Sequence, residues 1–294
     1  MRTYPVIVGA DGTDSSRSAV RWAAREAHLR NLPLKVAHVF DWEWREARYD
    51  MSHEYLDLAR KVAENITAAA VHDARLVAAR LDVEGEQLLG HATARLLAES
   101  EAAELMVLGS RGRGGFASML LGSVSQRVAT HAKCPVVVVR GRGDAAEGPV
   151  VAGVDDSPAA DRVLETAFDA AARRGSSLSV VRSHLPLIPL WLAADVRPAD
   201  VDTPEADADE RARLEEQLAP WRAKYPEVPV EVLLTHESAA AALVKASAGA
   251  QLVVVGSHGH GGITGTLLGS AGLQLLHHAE CPVHITRPPA YARK

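Results

Sequence analysis

The chain has 294 residues, of which 47% are hydrophobic and 23% charged, and its formal net charge at pH 7 is −5. These values are typical of a globular protein with two domains of ordinary size. The acidic balance argues against a general nucleic-acid or membrane-surface binder, because such proteins normally carry a basic face.

The cysteines and the hydrophobic segments indicate the cellular setting. No stretch reaches the roughly 18 uninterrupted apolar residues of a membrane span, and the N-terminus lacks the apolar core of a signal peptide. Cys134 and Cys281 form neither a disulfide framework nor a metal-ligand spacing. Each precedes a proline and an apolar run, so we expect inert core thiols. We therefore expect a cytoplasmic protein without nucleic-acid or membrane partners.

The first half alternates short β-branched runs with helical stretches. The predicted strands are Val6 to Val8, Leu34 to Phe40, Val83 to Leu88, Leu105 to Leu108 and Val136 to Val139. The outermost runs are apolar throughout, which is typical of strands buried on both faces of a parallel sheet. Between the first two strands, a helix is predicted over Ser15 to Arg30, after a serine-rich start that can cap it.

The same alternation returns after a polar, glycine-rich stretch, Arg140 to Gly148, that has linker composition. The predicted strands of the second half are Val150 to Val154, Leu178 to Val181, Val228 to Leu234, Leu252 to Val255 and Val283 to Thr286. A helix is predicted over Pro158 to Arg174, with Ser157 as its N-cap and proline at its first position.

The two halves are copies of one domain. VIVGADGTDSS, which starts at Val6, matches VVAGVDDSPAA, which starts at Val150, so that Asp11 and Asp155 are 144 residues apart. The stretches that start at Leu105 and Leu252 match with an offset of 147 residues. A repeat of this length predicts two whole domains, 1–141 and 149–289. Alternating strands and helices predict an α/β fold, with two tandem Rossmann-like domains of five parallel strands and helices on both faces.

A glycine pattern follows the fourth strand of each half. Gly109 and Gly112 are followed, after nine residues, by Gly122 and Ser123, and the pattern recurs at Gly256, Gly259, Gly269 and Ser270. Glycines let backbone N–H groups approach an anion, and a helix start directs unpaired N–H groups to the same place. The pattern is neither a Walker A loop nor a GxGxxG fingerprint. Turn geometry could explain one copy, but two copies with one spacing favour a phosphate site.

An aspartate follows the first strand of each half. Asp11 and Asp155 lie where an open parallel sheet binds ligands, beyond the carboxyl ends of the strands at the reversal of strand order. Asp11 could accept a hydrogen bond from a ribose hydroxyl or an adenine amino group. It could equally cap the turn that it forms with Gly12 and Thr13.

At these residues the chain resembles the tandem-domain, ATP-binding branch of the universal stress protein family. The Gly-x2-Gly-x9-Gly-Ser spacing and the run CPVVVV carry the resemblance, which covers both halves. It implies adenine nucleotide α-hydrolase-like domains with strand order 3-2-1-4-5. It also implies ATP, with Mg²⁺ or Mn²⁺, in the crevice where the strand order reverses.

The resemblance implies a set of nucleotide-binding residues in each half. In the first half they are Gly9, Ala10, Asp11, Val39, Gly109, Arg111, Gly112, Arg113, Gly122, Ser123, Val124 and Ser125. In the second half they are Gly153, Val154, Asp155, Ser183, Gly256, His258, Gly259, His260, Gly269 and Ser270. Asp11 would contact adenine or ribose, and Val39 would meet adenine through its backbone.

The halves depart from each other in this set. Ser183 replaces Val39, Gly272 replaces Ser125, and two histidines replace the two arginines of the loop. Arginine is a permanent cation, whereas histidine is mostly neutral at pH 7. We therefore expect the first site to bind ATP more tightly at neutral pH.

We expect an ATP-binding regulatory protein of the stress response, with no catalytic residues and no structural metal. No Walker B-type acid, dedicated lysine or evident base accompanies the loops, and His258 and His260 lack a third ligand of obvious spacing. A slow adenine-nucleotide hydrolase and a nucleotide-independent partner-binding module remain alternatives. The partner could be a second copy, in a homodimer formed through the last strands, or the halves could satisfy that contact as an intramolecular domain pair.

Overall fold

The computed structural model describes residues 3–40, 53–112, 121–184, 203–258 and 268–288. The chain divides into two compact units. The first is Met1–Asp144 together with Arg287–Lys294, and the second is Ala145–Thr286.

The first unit is a parallel sheet with helices on both faces. Its strands are β1 (Val6–Gly9), β2 (Leu34–Phe40), β3 (Val83–Leu89), β4 (Leu105–Gly109) and β5 (Val136–Val139). They lie in the order β3-β2-β1-β4-β5, and each neighbouring pair is parallel. Its helices are α1 (Asp14–Arg30), α2 (His53–Val77), α3 (Ala92–Glu99) and α4 (Ser123–His131). Because α1 packs on α2 and α3 on α4, right-handed crossovers put the two pairs on opposite faces.

The second unit repeats this plan. Its strands are β6 (Val150–Gly153), β7 (Leu178–Ser183), β8 (Val230–Thr235), β9 (Leu252–Gly256) and β10 (Val283–Thr286). They lie in the order β8-β7-β6-β9-β10, again parallel. Its helices are α5 (Ala160–Arg174), α6 (Pro204–Lys224), α7 (Ala239–Ser247) and α8 (Ser270–His278). The predicted fold class and the strand order 3-2-1-4-5 are confirmed in both units.

The core of each unit follows from the sequence pattern. Every side chain of β5 is buried, as the all-valine run VVVV requires of a strand covered on both faces. On α1, Ala19, Ala23 and Ala27 are fully buried. These positions are four residues apart and so line one face of the helix. Small side chains on that face let the helix lie close to the sheet.

The two units differ in how the first helix begins. In the first unit, Thr13 caps α1, because its Oγ1 accepts a hydrogen bond from the N–H of Ser16 at 3.3 Å. In the second unit the predicted cap is wrong, since α5 begins at Ala160 without a capping side chain. Ser157 donates from its N–H and its hydroxyl to Asp155 Oδ1, at 3.0 and 2.5 Å, as Thr13 does to Asp11, but a turn at 158–159 separates it from the helix, and the Ala160 N–H donates to the Ser157 carbonyl oxygen at 3.0 Å.

Both cysteines lie in the core. The thiols of Cys134 and Cys281 are buried, and neither forms a disulfide within the described residues. Burial raises the pKa of the Cys134 thiol to about 12, which keeps it protonated at neutral pH. Within the part of the chain that the structure describes, none of the helices combines the length and apolarity that a bilayer crossing requires.

The raised pKa of Cys134 generates a chemical prediction. Because the thiolate is the reactive form, Cys134 in the folded protein should resist iodoacetamide at pH 8. After unfolding in guanidinium it should react at the rate of a free thiol. Peptide mass analysis of both samples measures this. Rapid alkylation of Cys134 in the folded protein would contradict the assignment.

Candidate functional site

The site of the first unit lies where the strand order reverses. β1 and β4 are neighbours, and the chain leaves them for helices on opposite faces of the sheet. Such a switch point leaves a crevice beyond the carboxyl ends of the strands. Asp11 follows β1, and Arg111 and Gly112 follow β4. The fold therefore brings the two predicted motifs to one crevice.

A close contact between Gly109 and α1 fixes the loop. A Cβ on Gly109 would lie 2.6 Å from Ser15 Oγ and 2.7 Å from the Ser15 carbonyl oxygen, so only glycine fits. Ser15 Oγ also accepts a hydrogen bond from the Arg111 N–H at 3.2 Å. Ser15 is not among the site residues predicted from the sequence. The sequence indicates it only through the serine pair at the start of α1, which we interpreted as a helix cap alone.

Asp11 faces the loop and also holds its own turn. Asp11 Oδ1 accepts from the N–H and the hydroxyl of Thr13, at 3.0 and 2.7 Å. Asp11 Oδ2 lies 2.8 Å from the position that a Cβ of Gly112 would take. The turn includes Gly12 at φ 83°, which favours glycine. The structure thus shows the turn cap, one of the two alternatives that the sequence left open, and the contact of Asp11 with a ribose or an adenine stays a prediction.

The start of α4 provides unpaired backbone donors at the same crevice. Gly122 is the N-cap, and its N–H donates to the Ser110 carbonyl oxygen at 2.7 Å. The first N–H groups of a helix, here those of Ser123 and Val124, have no intrahelical partner. A glycine cap has no side chain that could bind them. These donors and the positive end of the helix dipole suit an anion.

Ser125 has a different position from the one predicted for a nucleotide contact. Its hydroxyl donates to the Gly109 carbonyl oxygen at 2.6 Å, and the residue is 7% exposed. The side chain therefore fastens α4 to the end of β4. A nucleotide contact through the backbone of Ser125 stays a prediction.

The end of β2 lies beside the crevice. The Ala10 N–H donates to the Ala37 carbonyl oxygen at 2.9 Å. Since alternate residues of a strand direct their backbone groups to the same side, the backbone of Val39 faces the space beyond the end of β1. His38, which is buried, places its Nδ1 2.6 Å from the Ala10 carbonyl oxygen and so holds the end of β1.

The second unit repeats the cradle with different contacts. Gly269 is the N-cap of α8, and its N–H donates to the Ser257 carbonyl oxygen at 3.0 Å. A Cβ on Gly256 would lie 2.9 Å from the carbonyl oxygen of His258. This close neighbour belongs to the loop itself, whereas in the first unit the close neighbour of Gly109 belongs to α1. Ala159, in the place of Ser15, has no hydroxyl that could hold the loop.

Polar side chains follow β7 and β8, where the first unit has Phe40 and Leu89. His236 Nε2 lies 2.7 Å from Asp207 Oδ1, and this hydrogen bond lowers the pKa of Asp207. The ring of His184 lies 6.2 Å from that of His236. The side chain of Ser183, the counterpart of Val39, donates to the Glu237 carbonyl oxygen at 2.7 Å. Sequence reasoning found none of these contacts.

Three predicted residues, Arg113, Gly259 and His260, lie outside the described residues. Among the residues that the structure does describe, no group of three or more histidine, cysteine, aspartate or glutamate side chains could hold a metal ion.

Comparison with known proteins agrees with this architecture. The model of the Universal stress protein family matches residues 4–140 and 148–287. A universal stress protein of Mycobacterium tuberculosis is 36% identical over 296 residues, which are 97% of this chain and 98% of that protein. One of Mycolicibacterium smegmatis is 35% identical over 297 residues, which are 97% of each.

The fold has a counterpart among solved structures. A universal stress protein from Archaeoglobus fulgidus superposes with a TM-score of 0.71 at 18% identity, over 98% of this chain and 99% of that one. The fold defines a protein of two tandem α/β units, each with a glycine-containing loop at its switch point. The chain belongs to the Universal stress protein family, in two tandem copies.

Two serines of α4 should differ in how much they contribute to the stability of the fold. Ser125→Ala should lower the free energy of unfolding by about 1–3 kcal/mol, because the Gly109 carbonyl loses a buried donor. Ser123→Ala, at an exposed position, should change it by less than about 0.5 kcal/mol. Urea unfolding of the full chain measures both. Equal effects would show that the Ser125 hydroxyl does not hold the loop.

Proposed function

We propose that this chain is an ATP-binding universal stress protein whose nucleotide occupancy regulates its stability, assembly or partner choice. One observation carries the proposal. In the first unit, Asp11, Gly112 and the first N–H groups of α4, which have no partner within the helix, face one crevice. A carboxylate acceptor beside a nest of backbone donors suits a ligand that has both hydroxyl and phosphate groups.

Each part of the nucleotide has a matching group in this proposal. The phosphates lie against the N–H groups of Gly112, Ser123 and Val124, with the positive end of α4 behind them. Arg111 adds a permanent positive charge. Asp11 Oδ2 accepts from the ribose, and the backbone of Val39 meets the adenine edge. Mg²⁺ or Mn²⁺ would arrive with the phosphate oxygens, which such ions prefer as ligands.

A binding role fits the contacts of Asp11 better than catalysis does. Asp11 Oδ1 already accepts two hydrogen bonds from Thr13, so this oxygen is engaged in holding the turn. Ser15 and Ser125 both use their hydroxyls to hold the loop. We therefore propose a protein that is not an efficient enzyme, at most a slow adenine-nucleotide hydrolase. A cytoplasmic location is part of the same proposal, and the two free thiols suit it.

A second candidate is a partner-binding module that does not need nucleotide. The observation in its favour is a row of exposed apolar side chains on α2, where Leu58, Val62 and Leu76 are 59%, 44% and 72% exposed. Large apolar side chains grouped on one surface indicate an interaction site. If this were the sole function, millimolar ATP would neither release heat nor stabilise the protein.

Gly112→Ala should weaken ATP binding to the first unit by about tenfold, or about 1.4 kcal/mol. The new Cβ would meet Asp11 Oδ2 at 2.8 Å and push the carboxylate away from the ribose. Calorimetric titration measures the change. Gly249→Ala is the matched control, since nothing lies within 4 Å of its added Cβ. Equal affinities of the two variants would contradict the proposed pose.

A single-turnover assay distinguishes binding from hydrolysis. Protein in excess over labelled ATP should release the nucleotide unaltered after denaturation, because the described loop residues hold the phosphates without activating water. Stoichiometric AMP and pyrophosphate would instead favour an adenine-nucleotide hydrolase. Chromatography of the released label measures the outcome, and protein denatured before the ATP is added supplies the blank.

A further inference from the structure

A buried arginine holds the turn after β6 in the second unit. Arg182 is 2% exposed. Its Nη1 donates to Asp156 Oδ1 and Glu210 Oε1, each at 2.5 Å. Its Nη2 donates to Gln217 Oε1 at 2.7 Å and to the Asp155 carbonyl oxygen at 3.3 Å. We call Arg182, Asp156, Glu210 and Gln217 the arginine cluster.

The first unit builds the same turn without a buried arginine and its ion pairs. His38 lies 144 residues before Arg182 and binds the Ala10 carbonyl oxygen. Gly12 takes the place of Asp156. The N–H groups of Asp11 and Gly12 donate to the hydroxyl of Ser16, at 3.3 and 3.2 Å. In the second unit Ala160 replaces Ser16 and has no hydroxyl. There the arginine cluster holds the turn, through the contacts of Arg182 with Asp155 and Asp156.

The helices above the turn differ in the same way. β3 and β8 have the same register, since Val83 pairs with Leu34 and Val230 with Leu178. α2 and α6 both end six residues before that strand. The offset of 147 residues therefore holds in these helices. Ala63 and Ala70 of α2 are at the positions equivalent to Glu210 and Gln217 of α6.

These small residues leave open space in the first unit. A cavity of about 230 Å³ borders the turn after β1, and its lining includes Ala10, Gly12, Arg17, Ile66 and Ala70. Two of the lining positions, Gly12 and Ala70, are those that Asp156 and Gln217 take in the second unit. In the second unit, the charged side chains of the arginine cluster thus occupy the space that corresponds to this cavity.

The cluster also changes the charge of the crevice. Two carboxylates, those of Asp156 and Glu210, contact the single guanidinium of Arg182, and the Asp155 carboxylate lies on the same turn, where it accepts from Ser157. Glu210 has a further, looser contact with Arg213, at 3.4 Å. The Asp156 side chain is 57% exposed, so its field reaches the solvent of the crevice.

The first unit carries different charges at the same edge. Asp11 has no second carboxylate at the place of Asp156, and the cavity beside it is bordered by one cation and one carboxylate, Arg17 and Asp73. On the loop, His258 replaces the permanently charged Arg111. The additional carboxylate of Asp156 and the lost positive charge on the loop both disfavour a polyphosphate in the second crevice, because like charges raise its free energy of binding.

We propose that the second crevice takes an adenine ligand of low negative charge, a nucleoside or a nucleoside monophosphate, and that the arginine cluster sets this preference. The inference rests on the proposed function for its adenine part. Arg182 is a positioning residue, which holds the Asp155 carbonyl and the Asp156 carboxylate. Asp156 is the residue that discriminates by charge.

Two full-length variants report on one crevice each. Gly269→Val blocks the second cradle and leaves the first, and Gly122→Val does the reverse. Each is titrated calorimetrically with adenosine, AMP and ATP, after a thermal melt has shown that it is folded. The first crevice should bind ATP more tightly than AMP. The second should bind AMP at least as tightly as ATP, so that the ratio of the two dissociation constants differs between crevices by about tenfold.

Asp156→Asn, added to the variant that reports on the second crevice, tests the role of the cluster. The amide oxygen can still accept from Arg182, while one negative charge is lost. ATP affinity should rise about threefold to fivefold, and adenosine affinity should not change. Asp169→Asn is the matched control, since Asp169 also accepts from an arginine, Arg173 Nε at 2.8 Å, but lies near the other end of α5.

The outcomes separate the two proposals. If the first crevice binds none of the three ligands, the proposed function fails. If the first crevice prefers ATP while the second shows the same preference or binds nothing, only this inference is overturned. If Asp156→Asn and Asp169→Asn act alike on ATP binding, the arginine cluster does not set the preference.

Discussion

The cradle of the first unit depends on one missing side chain. Because Gly109 has no Cβ, the first turn of α1 lies against the end of β4, with the Ser15 carbonyl oxygen 2.7 Å from where that Cβ would be. The carbonyl oxygen of Gly109 accepts a hydrogen bond from the Ser125 hydroxyl. Gly109 thus joins β4, α1 and α4 at one point. The backbone donors at the start of α4 are held by the fold before any ligand arrives, which is the preorganisation that tight anion binding requires.

Duplication gave the same turn two different supports. In both units the aspartate after the first strand accepts from the residue two positions later, and the first unit adds the neutral hydroxyl of Ser16. The second unit holds the turn with a buried guanidinium and carboxylates. A buried ion pair stabilises only when its geometry and its further hydrogen bonds offset the loss of hydration. The four acceptors of Arg182 supply those bonds, but they also leave charge at the crevice.

The parts of the structure that depend on local pattern could be read from the sequence. Apolar runs predicted all ten strands, and the repeat with its family resemblance predicted their order. The paired glycines marked the crevice. Contacts between distant residues could not be read in this way. Ser15 and Arg111 are 96 residues apart, and Arg182 and Gln217 are 35 apart, so no periodicity connects them.

The choice of hydrogen-bond partner also escaped the sequence. Ser157 followed by proline has the composition of a helix cap, yet a turn follows it and α5 begins only at Ala160. Ser125 matches a family position, yet its hydroxyl belongs to Gly109. A sequence shows which donors and acceptors exist, and the packing decides which of them meet.

Hydrogen–deuterium exchange tests the central claim most directly, because the claim concerns backbone amides at the start of α4. Peptides that include Ser123 and Val124 should exchange more slowly when ATP is added, while peptides from the buried strand β5 should not change. Unchanged exchange at the start of α4 in millimolar ATP would contradict the account and leave the glycines as turn residues alone.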